Sequence, residues 1–243
     1  MDLRLSVAQR CVEVLRPFAL CVAYIIAARA GAWWLAIPLA GASCLAGFVL
    51  MHDAMHAALG LSRRANHVVM ALSGLLLLKS GHGIQVTHLR HHARCLEADD
   101  PEGGCANWTL GRVIVDGPWH ILALRWWSLR ASPRTRWWQI AETAATVAIV
   151  GAAAWSWIAA GSLVGIAYWG VAAALSATMP LWAAYIPHHL APRHPAIRTA
   201  ATVARCWTPL VSSFAYHHVH HADPRIPTAL LPAAVRRGLV DAG

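Results

Sequence analysis

The chain has 243 residues, 58% of them hydrophobic and only 13% charged. That balance is too apolar for an ordinary soluble domain, and the length fits one membrane domain spanning residues 1–243. The net charge of +9 comes almost entirely from arginine scattered through the polar segments, which fits a positive-inside bias better than nucleic-acid binding.

In chain order, residues 1–16 carry charges throughout and no clear apolar core, so no cleavable signal peptide is expected. Residues 18–32 and 33–51 read as two membrane-crossing helices, separated only by the turn from Arg29 to Ala32. His52, Asp53 and His56 close the second of them. Residues 68–78 are apolar but too few to cross, so a re-entrant or interfacial piece is expected. After the Lys79–Gly83 turn come His88, His91 and His92, then Asp99, Asp100, Pro101 and Glu102. Residues 119–138, rich in Trp and Arg, read as one interfacial helix. Residues 140–160 and 163–186 form a second pair of crossings around Gly161 and Ser162, and His188 and His189 follow directly. A last group holds His217, His218, His220 and His221. The six cysteines form no CxxC pair, which excludes an iron–sulfur motif or a disulfide framework; they read as buried free thiols.

The expected fold is an all-α integral membrane protein with four transmembrane helices as two hairpins. Interfacial helices and a cytoplasmic, histidine-rich metal centre complete it. No full crossing separates His56 from His88 or His189 from His217, and two separate His92 from His188. All the histidine groups therefore fall on one side. Of the 20 Lys and Arg residues, only Arg29 lies in a turn between paired crossings, which makes the histidine side, and both termini, cytoplasmic.

The histidines carry the chemistry. HxxxH at 52–56 and HxxHH at 88–92 and 217–221 put imidazoles on one face of a helix. Imidazole suits iron, copper and zinc, and one ion takes about four to six ligands, so this many converging histidines point to two metals. The candidate ligands are His52, His56, His88, His91, His92, His217, His220 and His221, with His188 preferred to His189 as the ninth. Asp53, Asp99 and Asp100 are candidates to accept hydrogen bonds from ligand imidazoles. Alternatively, Asp53 is a helix-terminal charge and the Asp99–Asp100 pair a solvated turn. His82, flanked by glycines, falls outside the box rhythm; His67, His120 and His194 read as interfacial or surface residues, and His218 as a neighbour of the third box. Two other classes remain. A zinc hydrolase of the HExxH type would need Glu where Asp53 stands and only three protein ligands. A metal transporter would need polar residues along its crossings, and residues 140–160 contain only Glu142 as a charge.

These boxes, in this order and spacing, resemble the membrane fatty acid desaturase superfamily from about Gly47 to Pro232. In detail they are similar to bacterial β-carotene ketolases and hydroxylases. The matching residues are His52 to His56, His88-x-x-His91-His92 with Asp99-Asp100-Pro101, Tyr185-x-Pro187-His188, and Tyr216 to His221 with Pro224-x-Ile226-Pro227. Departures from the ketolase pattern are Ala57, where glycine is usual, Arg94, where histidine is common, and Val219, where an acid is common. The resemblance implies two non-haem irons, O2 as co-substrate, and oxidation of a C–H bond in a lipid from the bilayer. The lipid would be a carotenoid or, as the alternative, a fatty acyl chain. The setting would be a bacterial inner membrane. The chain has no flavin, nicotinamide or haem motif, so electrons are expected from a separate, ferredoxin-like donor. Arg130, Arg134 and Arg136 either attract that acidic carrier or only set topology.

Overall fold

A computed structural model describes residues 3–190, 192–207 and 209–239, with the side chains of 205–211 outside the description. The first helix, α1 (Val7–Arg29), starts well before the expected residue 18. Ser6 explains the start. Its Oγ accepts from the Gln9 amide (3.2 Å) while Gln9 Oε1 accepts from the Ser6 amide (2.9 Å), a reciprocal capping box. A three-residue turn with Gly31 at φ +74° leads into α2 (Trp33–Met55). Ala36, Ala40, Cys44 and Gly47 keep α2 narrow, so that neighbouring helices pack closely against it.

The short helix α3 (Arg63–Leu75) has 13 residues, too few to cross a bilayer, as expected for the 68–78 region. A helix that ends inside the protein must still place its last carbonyls. Here the Leu76 carbonyl accepts from Cys44 Sγ (3.4 Å) and Tyr168 Oη (3.4 Å), and the Leu77 carbonyl accepts from Ser176 Oγ (2.5 Å). The chain then turns back into α4 (Gly81–Ala93), which carries the second histidine box over its last two turns. The two helices cross in near backbone contact. A Cβ on Gly81 would run into the Met70 carbonyl, and one on Gly74 would lie 2.8 Å from the Gly81 amide nitrogen.

A 3-10 turn (Gly103–Asn107) leads to α5 (Leu110–Ala131), and α6 (Arg136–Ala160) follows. The expected single interfacial helix over 119–138 is therefore wrong. The backbone breaks at Ser132 and Pro133, and Trp137 and Trp138 open α6. Helix α6 exposes Val147, Trp155, Trp157 and Ile158, as a lipid-facing helix does. Glu142, its one acid, is buried and bound to Ser80 Oγ (2.5 Å) and His82 Nδ1 (2.5 Å) of the α4 start. Gly161, at φ +62°, ends α6 in the left-handed conformation that glycine adopts without strain.

Helix α7 (Val164–Ala177) continues through a π-helical stretch (Pro180–Tyr185) into α8 (Ile186–His189), bent by 42°. Among the described residues three helices, α1, α2 and α6, are long and apolar enough to cross a membrane, and the bent α7 unit makes up to four. The remainder is α9 (Pro195–Trp207), α10 (Pro209–Ala215), α11 (His217–Ala222), a 3-10 turn (Thr228–Leu230) and α12 (Leu231–Arg236). Asp53 ties this end to α2, accepting from the Thr228 amide (3.1 Å) and Thr228 Oγ1 (2.5 Å). No strand occurs among the described residues.

The α3–α4 crossing sets the position of the second histidine box. Gly81→Ala is expected to destabilise the protein by about 1–3 kcal/mol through overpacking. Gly151→Ala, on α6 with nothing within 4 Å of the added Cβ, is expected to stay within about 0.5 kcal/mol. Thermal unfolding of the two variants in detergent checks this.

Candidate metal centre

Each histidine group arrives on a helix end. Box one sits on the last turn of α2, whose final carbonyls are held: Asn66 Nδ2 donates to Ala54 (2.5 Å) and Gln85 Nε2 to Met55 (3.1 Å). Ala57, just after box one, has φ +54°. The turn after box one thus needs a left-handed residue, and alanine adopts it at a cost glycine would not carry. Box two ends α4, box three forms α11, and His188 comes from α8 beyond the π-helical bend.

The ends converge. His52, His56, His88 and His220 each offer a nitrogen within 4.8 Å of the others, and so do His91, His188, His217 and His221. His92 belongs to neither set of four and stands between them. Its Nε2 lies 3.2 Å from His88 Nε2 and 2.9 Å from His220 Nε2, and its ring centroid is 4.4 Å from that of His221. His188 Nε2 is 3.2 Å from His91 Nε2 and 3.1 Å from His217 Nε2. His189 instead stacks on Tyr185 (3.9 Å). His82 and His218 are outside both sets.

Two carboxylates orient imidazoles of the cluster. Asp100 Oδ2 is 2.7 Å from His91 Nδ1, and its other oxygen takes the Glu102 and Gly103 amides at 3.0 and 2.9 Å. Glu102 Oε2 is 2.9 Å from His88 Nδ1, and Thr87 Oγ1 donates to Oε1 (2.5 Å). A carboxylate on Nδ1 fixes the tautomer and leaves Nε2 as the ligand atom. Burial pushes the Asp100 carboxyl up, but hydrogen bonds from His91 and the Gly103 and Leu96 amides outweigh it and hold the pKa near about 2. Burial raises Glu102 to about 7.

Two expected orienting acids behave differently. Asp99 is exposed and pairs with Arg90 and with Arg94 (3.1 Å) rather than with an imidazole. Asp53 comes no nearer than 3.9 Å to His52 Nδ1 and instead anchors Thr228. Asp100 fills the orienting role expected of it on His91, and Glu102 rather than Asp99 supplies the second carboxylate, on His88. No local pattern in the sequence marked Glu102 for this role. His67 and His120 are not mere surface residues either. His67 Nδ1 meets His82 Nε2 at 2.8 Å, and both rings stack on Trp138. His120 lines the chamber beside the histidines, and its Nε2 is buried without a hydrogen-bond partner. His194 donates nothing to the centre; its Nδ1 accepts from the Ala196 amide (3.2 Å). The thiols also divide: Cys44 and Cys105 are buried, Cys11 and Cys95 exposed, and the side chain of Cys206 lies outside the description.

The residues fit a pair of metal ions. Burial, then the charge of neighbouring histidines, drops the pKa of His56 and His92 to about 3 and of His221 to about 2. His88, His217 and His220 are pushed well below the usual imidazole value by the same causes. At neutral pH these nitrogens carry free lone pairs. Two of them, His56 Nε2 and His221 Nε2, are buried and have no hydrogen-bond partner. Orphaned polar atoms this concentrated are what an absent cation would satisfy.

A chamber of about 100 Å³ reaches the histidines. His52, His88, His91 and His217 form its polar wall; Phe48, Met55, Leu124, Met179 and Trp182 form the apolar remainder. Phe48 packs edge-on against Trp182 (4.9 Å).

Asp100→Asn is expected to lower metal content or affinity about 10–100-fold, whereas Asp99→Asn changes it little; elemental analysis of the purified variants decides. Acid should also act on the metal-free fold. The unfolded histidines take up protons near pH 6.5 and the folded ones only near about 3, so stability falls as the pH drops through that window. The melting temperature of chelator-treated protein at pH 7.5 and 4.5 checks it; an unchanged value would contradict the shared burial.

Neither a curated protein nor a solved structure matches the chain. The sequence model of the family described as Fatty acid desaturase matches residues 30–241, from the α1–α2 turn past α12 and across every histidine group. With its boxes converging at the ends of apolar helices, the chain belongs to the fatty acid desaturase family of membrane oxidoreductases.

Proposed function

We propose that the chain is a di-iron lipid oxidoreductase that uses O2 and external electrons to oxidise an unactivated C–H bond. The observation that carries this reading is the pair of four-histidine sets at the wall of an apolar chamber. His52, His56, His88 and His220 would hold one iron and His91, His188, His217 and His221 the other, with His92 placed to serve either. Bound iron supplies the oxidising power; the protein supplies orientation and surroundings. Asp100 and Glu102 fix the imidazoles of His91 and His88. Phe48, Leu124 and Trp182 hold a substrate chain and exclude water.

The topology we propose has four crossings as two hairpins, with the boxes and both termini on the cytoplasmic face of a bacterial inner membrane. The arginine distribution and the short α3 support it. A carotenoid-type ring is the first substrate on the box resemblance, an acyl chain the second, and the outcome is ketolation, hydroxylation or desaturation. Electrons come from a separate ferredoxin-like carrier, for which Arg130, Arg134 and Arg136 offer a basic surface. Arg130 lies over Trp126 (4.5 Å) and Arg136 donates to the Leu129 carbonyl (3.1 Å), so both are held in place. A zinc hydrolase fits less well, because an open zinc site takes three protein ligands and the two sets supply eight.

The test is metal analysis and turnover of detergent-purified protein with a lipid extract containing fatty acids and β-carotene. Two irons per chain are expected, with a product that needs O2, ferredoxin and reductant together. One zinc per chain, with product formed anaerobically, would overturn the reading.

A further inference from the structure

A second chamber, of about 230 Å³, lies beside the first behind a common wall of Ile84, Glu102, Ile121, Leu124 and Met179. Among the described residues no histidine lines it. Its walls are mostly apolar, and Lys79 stands in them. Leu122 of α5 and Thr143 of α6, both exposed, form its rim.

Of the 20 Lys and Arg residues of the chain, Lys79 alone is lysine. The difference is chemical. A guanidinium stays charged in a protein, whereas burial can leave a lysine as the free amine. Lys79 is largely buried, and its side chain makes no hydrogen bond or ion pair among the described residues. Burial brings its pKa down to about 8, and no charged neighbour contributes. The two acids nearby are engaged elsewhere. Glu102 holds Thr87 and His88; Glu142 holds Ser80 and His82, and its charge acts on Arg125. At neutral pH the unprotonated share of Lys79 therefore far exceeds that of an exposed lysine, whose pKa is about 10.4.

The backbone holds this amine in place. The Lys79 amide donates to the Gly74 carbonyl (3.0 Å), and Leu78 before it sits at φ +57°. A leucine keeps that left-handed conformation only where its surroundings fix it. The one lysine is thus set on a rigid turn, in an apolar chamber, without a counter-ion.

We propose that Lys79 is the nucleophile of a second lipid site, where its amine forms a reversible imine with a long-chain aldehyde held by the apolar wall. A desolvated lysine is the usual form of an amine that attacks a carbonyl. The nitrogen adds to the carbonyl carbon, the C–N bond forms and the C–O bond breaks. The carbonyl oxygen leaves as water with the two amine protons, so nothing is oxidised or reduced. Water reverses the step. The site goes beyond the di-iron reading and needs no metal. Arginine could not replace Lys79 in it, because a guanidinium offers no free amine.

Trapping with decanal and sodium cyanoborohydride at pH 7, on the detergent-purified full chain, tests this directly. The chain has one other primary amine, its amino terminus, which serves as an internal reference. Peptide mass mapping is expected to find the decyl adduct on Lys79 forming about 10-fold faster than at the amino terminus, from the raised local concentration of a held aldehyde. With propanal, too short to use the apolar wall, that advantage should vanish. It should also vanish for decanal in the chain unfolded in dodecyl sulfate, whose micelles still take up the aldehyde. An unlabelled Lys79 overturns the proposal, as does labelling no faster than at the amino terminus. An advantage that persists with propanal or in the unfolded chain would show a reactive amine without a lipid site, and would also overturn it. Because the readout is an adduct rather than turnover, the result stands whether or not the chain proves to hold two irons.

Discussion

Packing nine imidazoles into one low-dielectric pocket is the constraint on which the rest of the structure depends. Protonated, they would repel one another without solvent to screen them; neutral, they form a dense field of lone pairs well suited to cations. The helices that carry them have to end at one level. They also have to hold those ends without using the imidazole Nε2 atoms that face one another. This explains why the local anchors are backbone and amide contacts: Asn66 and Gln85 on the last carbonyls of α2, and Asp53 on Thr228 at the other end of the chain. Asp53 is the clearest case. Its position inside box one invites a ligand-orienting role, yet it works as a strut between α2 and the segment behind α11.

A second polar cluster supports the first from a distance. Ser80, His82, His67 and Glu142 join the start of α4 to α3 and α6, with Trp138 stacked over both imidazoles. A carboxylate on a lipid-facing helix is expensive unless it is paired, and Glu142 has both oxygens occupied. The cluster fixes one end of α4 while Asp100 and Glu102 fix the other. Box two is therefore held at both ends of a helix of only 13 residues.

Much of this was legible in the chain. The boxes could be read because imidazoles at i, i+3 and i+4 share a face, and no other common arrangement explains three such groups near apolar runs. The too-short apolar piece at 68–78 could be read from length alone. Other features depended on information that periodicity does not carry. The capping box that begins α1 at Val7 lies in a charged stretch that hydropathy ignores. The break at Ser132 and Pro133 divides a Trp- and Arg-rich segment whose composition looks uniform. Asp99 turns to arginines while Glu102, given no role in advance, orients His88, because a turn, not a helix, links them to box two. In a turn, neighbouring residues point in unrelated directions. His82 and Glu142 are 60 residues apart, and no local pattern announces their contact.

The π-helical bend after α7 explains how a membrane helix can take part in a site built on short helices. A π turn carries an extra residue and rotates everything beyond it relative to the helix before. With Pro180 at its start and a 42° change of direction, it swings His188 toward His91 and His217 and leaves His189 stacked on Tyr185. Adjacent histidines are equivalent in sequence; the bend makes them inequivalent in space. The same stretch supplies Trp182 and Pro180 to the chamber wall. One backbone irregularity therefore sets a member of the second histidine set and the shape of the cavity beside it. The placement of His188 and the shape of the chamber are thus coupled through Pro180–Tyr185, and a change in that stretch acts on both together.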